Sequence, residues 1–122
     1  MVKEGKTKIL VVDDDNTVLK MAQKLLAEYD VHTASDGVQA MAAVKKVQPD
    51  LIVLDIMMPE MNGYDVCHAL KFDSPYKDIP ILLLTSREQE IDARIGQMMG
   101  VHYMQKPLKP EPFLAQIKKM LK

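Results

Sequence analysis

The sequence is poor in cysteine, in net charge and in long apolar runs. Cys67 is the single cysteine, which excludes a disulfide framework and a cysteine-rich metal site. The net charge is −1 and the pI about 6.3, so no basic field predicts direct contact with nucleic acid. No apolar run is long enough to span a membrane, and residues 1–6 lack the apolar core of a signal peptide. These absences favour a soluble, cytoplasmic chain, and a length of 122 residues predicts one domain with one core.

The sequence is rich in short apolar segments that alternate with helical patterns. The predicted strands are Lys8–Asp13, Asp30–Ala34, Asp50–Asp55, Pro80–Thr85 and Val101–Gln105. The predicted helices run over Asn16–Glu28, over Gly37–Lys46, from Asn62-Gly63 to Ser74, from Ser86 to about Gln97, and from Pro110 onwards. The second strand is less apolar than the others, so we expect it near an edge. Strands that alternate with helices predict an α/β fold, a parallel sheet with helices on both faces.

The helical periodicity also predicts which side chains face the sheet. Asp36 is predicted to cap the second helix, and its inward stripe is predicted to contain Val38, Met41 and Ala42. In the last helix, the predicted buried stripe is Phe113, Leu114, Ile117 and Leu121.

Polar side chains lie where four of the predicted strands end. They are Asp13-Asp14-Asp15, Asp55, Thr85-Ser86 and Lys106. If these strands are neighbours, their ends share one edge of the sheet. Clustered carboxylates either keep protons or hold a cation, and an all-oxygen ligand set suits Mg²⁺ better than zinc. A lysine and a hydroxyl can hold phosphoryl oxygens, and a carboxylate can itself be the nucleophile that forms an acyl phosphate.

At this point the sequence resembles the receiver domain of two-component response regulators over nearly its whole length. The motifs that carry the resemblance are Val11-Val12-Asp13-Asp14, Leu54-Asp55-Ile56-Met57-Met58-Pro59-Glu60-Met61-Asn62-Gly63, Thr85-Ser86 and Tyr103-Met104-Gln105-Lys106-Pro107. The resemblance implies the flavodoxin-like, doubly wound sheet of order 2-1-3-4-5 in a three-layer α/β/α arrangement with five helices. We therefore expect one receiver domain over residues 1–122 with no output domain in this chain, either a stand-alone regulator or part of a longer protein.

The resemblance implies a phosphoacceptor site at the acidic end of the sheet. Asp55 would accept a phosphoryl group from a partner histidine kinase or phosphotransfer protein, as in a phosphorelay. Asp14 would bind Mg²⁺ directly, with Mn²⁺ as a substitute, and Asp13 would act mainly through a water. The backbone carbonyl of Met57 would be a further ligand.

The resemblance also implies how the phosphoryl group would be held and sensed. Lys106 would pair with it, next to a cis Lys106-Pro107 peptide, and Thr85 would swing to bond it. Tyr103 would follow Thr85 inward and so change the surface formed by the fourth helix, fifth strand and fifth helix. The changed surface would bind a downstream target, a missing output domain or a second copy in a phosphorylation-dependent dimer. The chain would not be an enzyme but would assist its own phosphorylation and, with Met57 and Arg87 at the variable positions, its own slow dephosphorylation.

Two other functions fit parts of the sequence. Asp13-Asp14-Asp15-Asn16-Thr17 matches the Asp-x-Asp-x-Thr motif of the haloacid dehalogenase superfamily, with Asp13 as nucleophile and Asp15 as acid, although Asp55 then has no role. A receiver that no longer accepts phosphate would be a binding module. In simpler interpretations, the first acids cap a helix, Tyr103 packs at an edge, and Asn62-Gly63 is a turn with no role in the site.

Overall fold

Five parallel strands form a single sheet in this computed structural model, which describes residues 6–56, 58, 62–72, 75–85 and 101–121. The strands are β1 (Lys8–Val12), β2 (Asp30–Ala34), β3 (Leu51–Asp55), β4 (Ile81–Thr85) and β5 (His102–Gln105). Their order in the sheet is β2-β1-β3-β4-β5, and every pair is parallel. The predicted strand order is confirmed, and β2 lies at an edge as its weaker apolar pattern predicts.

The central strands are buried on both faces because helices cover both sides of the sheet. Every residue of β3 and β4 is buried. Successive side chains point to opposite faces, so Ile52 and Leu54 join one core cluster, whereas Leu51 and Val53 join the other. This two-sided burial is why the sequence of these strands is continuously apolar rather than alternating.

Four helices lie in the described part of the chain: α1 (Asn16–Leu25), α2 (Gly37–Val47), α3 (Gly63–Phe72) and a C-terminal helix (Pro110–Met120). Helices α2 and α3 cover one face, and α1 and the C-terminal helix cover the other. The helix predicted from Ser86 to about Gln97 falls outside the described residues. Among the residues that are described, none of the helices has the length and apolarity needed to cross a bilayer.

Two local predictions about the helices were wrong. Helix α1 ends at Leu25 rather than Glu28, because the chain must turn at once for Asp30 to donate its N–H to the Thr7 carbonyl and start β2. In α2 the buried residues are Gly37, Ala40 and Val44. Of the predicted inward stripe, Met41 packs against the core, whereas Ala42 is exposed and Val38 is 57% exposed. Helix α2 is apolar around most of its circumference, so its periodicity does not determine which face meets the sheet.

Candidate functional site

The C-terminal edge of the sheet gathers the polar residues that follow its strands. Asp13 comes directly after β1, Asp55 and Thr85 end β3 and β4, and Lys106 comes directly after β5. The backbone register aligns Asp55 with Leu84 and Thr85 with Gln105. Because β1, β3, β4 and β5 are consecutive in the sheet, these four side chains share one rim, as the sequence predicts.

Three carboxylates form the acidic cluster: Asp13, Asp14 and Asp55. One oxygen from each lies within 4.8 Å of the others. Asp13 is fully buried and Asp55 is 4% exposed, whereas Asp14 is exposed to solvent. The cluster is therefore anchored in the core on one side and open to incoming ions on the other.

Backbone bonds hold Asp13 at the end of β1. Its N–H donates to the Ala34 carbonyl at 3.1 Å, which continues the pairing with β2. Its Oδ1 accepts a hydrogen bond from the Asp15 N–H at 2.9 Å. The other oxygen, Oδ2, is buried without a partner in hydrogen-bond geometry and makes its close contact as an ion pair.

The partner in that ion pair is Lys106, which links the two buried carboxylates. Its Nζ lies 2.8 Å from Asp13 Oδ2 and 3.3 Å from Asp55 Oδ1. Burial by itself would lower the pKa of Lys106, but its contact with Asp13 and the charges of Asp13 and Asp55 outweigh burial and raise that pKa. Lys106 therefore stays charged in the site. The peptide bond from Lys106 to Pro107 is cis, as the resemblance implies.

The pKa of Asp55 is raised from 3.8 to about 6. Burial is the largest cause, followed by the negative charge of Asp13, with a smaller contribution from Asp14. Lys106 acts in the opposite direction and lowers the pKa of Asp55. The raised pKa is therefore mainly an effect of burial, to which the neighbouring acids add, and perturbed carboxylates of this kind are typical of functional sites.

The acidic cluster fits a hard divalent cation. All of its donors are carboxylate oxygens, the ligand type that Mg²⁺ and Ca²⁺ prefer. The spacing within 4.8 Å lets one ion contact or approach all three side chains. Met57, whose carbonyl the resemblance implies as a ligand, lies outside the described residues.

Asp15 is not part of the acidic cluster. Its side chain caps α1 by accepting a hydrogen bond from the Thr17 N–H at 2.9 Å. The simpler interpretation of this acid as a helix cap is therefore correct. A haloacid dehalogenase mechanism would need Asp15 as the general acid, and here its carboxylate is bound to the backbone.

Thr85 and Tyr103 occupy different environments. Thr85 is 5% exposed, and its carbonyl accepts a hydrogen bond from the Lys106 N–H at 2.6 Å. Tyr103 lies on β5 at the edge of the sheet, paired in register with Leu83 rather than with the last residue of β4. Its side chain is 49% exposed, so the structure does not bring Tyr103 into the acidic cluster.

Gly63 is next to the site, although the sequence predicts only a helix start and a turn at Asn62-Gly63 with no role in the site. Its N–H donates to the Ile56 carbonyl at 2.8 Å, and its backbone packs against Asp55 and Ile56. Asn62 and Asp65 exchange hydrogen bonds around it, at 3.0 Å and 3.3 Å, which begins α3. That capping pattern was the available signal, but periodicity alone does not show which strand the helix start contacts.

Comparison with known proteins agrees with this geometry. The response regulator receiver domain model matches residues 9–118. The chain is 39% identical over 118 residues to the DNA-binding response regulator MtrA of Mycobacterium leprae, covering 94% of this chain and 51% of that protein. It is 41% identical over 118 residues to the alkaline phosphatase synthesis transcriptional regulatory protein PhoP of Bacillus subtilis, covering 94% of this chain and 48% of that protein. The chain thus spans about half the length of these curated relatives.

A solved structure gives the same result for the fold. The chemotaxis protein CheY4 of Vibrio cholerae superposes with a TM-score of 0.87 at 34% identity, over 96% of this chain and 100% of that chain. The family model, the relatives and the fold all agree. The chain belongs to the response regulator receiver domain family of two-component signalling.

Proposed function

We propose that the chain is a phosphorylation-activated signalling switch whose phosphoacceptor is Asp55. The observation that carries the proposal is the position of this carboxylate. Asp55 ends the central strand β3, lies 3.3 Å from the Lys106 ammonium and shares the acidic cluster with Asp13 and Asp14. A nucleophile, a cation-binding pair and a fixed positive charge therefore meet at one rim of the sheet.

Asp13 and Asp14 hold Mg²⁺ in this proposal, together with Asp55, the Met57 carbonyl and incoming phosphoryl oxygens; Mn²⁺ is a substitute. Asp14 is the exposed member and would bind the ion directly, whereas Asp13 would act mainly through a water, as the family resemblance implies. When bound, the ion supplies positive charge that offsets the carboxylates and the developing charge on the phosphoryl group. Asp13 also holds the Lys106 ammonium, at 2.8 Å, before phosphorylation.

Asp55 attacks the phosphorus of a phosphohistidine on a partner histidine kinase or phosphotransfer protein. An oxygen–phosphorus bond forms, the phosphorus–nitrogen bond breaks, and the histidine leaves with its electron pair. Asp55 acts as the ionised carboxylate, because that is the nucleophilic form. Lys106 and the Thr85 hydroxyl then bond the phosphoryl oxygens. The chain assists this step and a slow hydrolysis, and it is not an enzyme with separate substrates.

Thr85 and Tyr103 transmit the change to the surface. When Thr85 turns toward the phosphoryl group, Tyr103 leaves its half-exposed position and moves inward. The proposed readout surface comprises β5, the C-terminal helix and the helix predicted from Ser86 to about Gln97, which falls outside the described residues. This two-state arrangement converts a local charge change into a different protein-binding face.

The partners in this proposal follow from the family and from the relatives. Residues 1–122 form one receiver domain that acts in the cytoplasm. Its activity passes to a downstream protein, to a second copy in a phosphorylation-dependent dimer, or to an output domain. MtrA is named a DNA-binding regulator, and we assign such binding to an output domain rather than to the receiver, whose net charge is −1.

Intact-mass measurement after incubation with acetyl phosphate and Mg²⁺ tests this proposal. Wild type is expected to gain the mass of one phosphoryl group, and Asp55→Asn is expected to gain none. Asp78→Asn is the matched control, because it neutralises an exposed acid far along the chain from the acidic cluster and should label like wild type. Borohydride reduction of the acyl phosphate, followed by peptide mapping, identifies the labelled aspartate.

Three results would contradict the proposal. Wild type that stays unlabelled with several phosphodonors indicates an inert binding module. Unchanged labelling of Asp55→Asn indicates a different acceptor. Label on Asp13 with rapid turnover of small phosphate esters indicates a phosphatase.

A further inference from the structure

The first residue of α3 packs directly against the backbone of the proposed phosphoacceptor. Gly63 is buried, and a Cβ placed on it would lie 2.5 Å from the Asp55 carbonyl oxygen and 2.8 Å from the Ile56 Cα. Contacts below 3.0 Å are essentially never made by real Cβ atoms. Because the clashing atoms belong to the backbone rather than to a flexible side chain, rotamer changes cannot relieve the clash.

The requirement for glycine here is a requirement for space. The φ of Gly63 lies outside the left-handed region, so any residue could adopt its backbone conformation. What a larger residue could not do is keep the helix this close to β3. The Gly63 N–H also donates to the Ile56 carbonyl at 2.8 Å, and that short bond requires the same close approach.

The Asp55–Ile56 segment is therefore held from two sides. On one side, the Ile56 N–H donates to the Leu84 carbonyl of β4 at 3.1 Å. On the other side, the Gly63 backbone packs against Asp55 and Ile56 and donates its N–H to the Ile56 carbonyl. The Asp55 side chain begins on this clamped backbone and reaches Lys106 Nζ at 3.3 Å, so a backbone shift is passed to the carboxylate.

We infer that Gly63 is a positioning residue for phosphorylation, which sets the Asp55 carboxylate relative to Lys106 and the other two acids. The inference rests on the proposed function of Asp55. In Gly63→Ala, α3 and β3 must separate by about 0.5 to 0.9 Å to reach tolerated contact, close to the misplacement of about 1 Å that slows a reaction roughly 100-fold. We therefore expect labelling of Gly63→Ala by acetyl phosphate to be roughly 10- to 100-fold slower than that of wild type.

The test compares Gly63→Ala with Ala69→Gly, the reverse substitution in the same helix. Ala69→Gly weakens α3 through helix propensity without adding an atom near β3. Labelling rates are measured at saturating Mg²⁺ under conditions where urea unfolding shows both variants to be folded. The second readout is the ¹⁵N–¹H spectrum of the metal-free proteins, in which Gly63→Ala is expected to shift the amide signals of Asp55, Ile56 and Lys106.

Slow labelling and shifted site signals in Gly63→Ala, with both near wild type in Ala69→Gly, support the inference. Labelling of folded Gly63→Ala at the wild-type rate overturns it while leaving the proposed function intact. Wild type that does not label at Asp55 overturns both. If Gly63→Ala does not fold, Asn62→Ala takes its place, because it loosens the same helix start by removing the Asn62 bond to the Asp65 N–H. Slower labelling of this folded variant supports the inference, and an unchanged rate overturns it.

Discussion

Replacing Asp55 by asparagine is expected to stabilise the metal-free protein at neutral pH, although it removes the proposed phosphoacceptor. The carboxylate is 4% exposed and lies beside Asp13 and Asp14, and within the described part of the chain Lys106 is the cation that compensates it. Asparagine has nearly the same shape as aspartate and no charge. The substitution therefore removes the repulsion and the desolvation cost of one buried carboxylate without leaving a cavity.

The magnitude follows from the pKa of Asp55. Folding raises that pKa from 3.8 to about 6, so the folded protein binds the Asp55 proton more tightly than the unfolded chain does. The resulting stability is fully present below pH 3.8 and is lost as the pH rises through about 6. At about 1.4 kcal/mol per pKa unit, the upper limit of the loss is about 3 kcal/mol. Asp55→Asn avoids this loss, so its advantage should grow over the same pH interval.

Urea unfolding followed by circular dichroism, in EDTA, measures the effect. The free energy of unfolding of Asp55→Asn should equal that of wild type within about 0.5 kcal/mol near pH 4 and exceed it by about 1–3 kcal/mol near pH 8. Asp78→Asn, an exposed acid, should show no such growth. Saturating Mg²⁺ should stabilise wild type more than Asp55→Asn, since a ligand stabilises the state that binds it. A difference between Asp55→Asn and wild type that stays constant from about pH 4 to about pH 8, or a destabilised Asp55→Asn near pH 8, would refute the electrostatic reasoning.

Three further substitutions test separate parts of the site and its support. Lys106→Met should slow acetyl phosphate labelling by roughly 100-fold or more and raise the pKa of Asp55 further, read by ¹³C NMR titration; an unchanged rate would argue against a phosphoryl-binding lysine. Asp14→Ala removes an exposed acid, so calorimetry should show weaker Mg²⁺ binding while the unfolding free energy changes by less than about 0.5 kcal/mol. Lys71→Met removes an ammonium that donates to two backbone carbonyls, at 3.0 Å and 2.9 Å. It should lose about 1–3 kcal/mol of stability in urea unfolding and label at the wild-type rate.

The fold was predictable where burial produces a recognisable apolar pattern in the sequence. The runs that became β1, β3 and β4 are apolar because each strand is covered on both faces, and β2 is less apolar because it lies at an edge. The orientation of α2 was not predictable. Small and apolar residues occupy most of its surface, and only the contacts with the sheet select Ala40 and Val44 over Val38.

The site was predictable in its members but not in its contacts. Parallel strands bring their C-terminal ends to one rim, so Asp13, Asp55, Thr85 and Lys106 could be grouped from sequence. Three adjacent acids, however, do not reveal which one caps α1, and Asp15 takes that role only because the chain turns into the helix there.

Gly63 was missed for a related reason. Gly63 matters because its backbone lies close to that of Asp55, eight positions earlier in the sequence. A residue without a side chain leaves no polar signal in the sequence that would predict this contact. The three-dimensional structure is needed to show this close approach, in which a Cβ on Gly63 would lie 2.5 Å from the Asp55 carbonyl oxygen.

The charge count of the site explains why phosphorylation and metal binding should depend on each other. Three carboxylates and the Lys106 ammonium give the cluster a net charge of −2 when all are ionised. Phosphorylation of Asp55 would replace one carboxylate charge by about two phosphoryl charges, so the site would become more negative still. A divalent cation held by Asp13 and Asp14 brings the unmodified cluster to neutrality and leaves the phosphorylated one near −1. Burial and the negative charge of Asp13 both raise the pKa of Asp55 in the metal-free protein, so a cation bound beside Asp55 would offset part of the cost of keeping this carboxylate ionised.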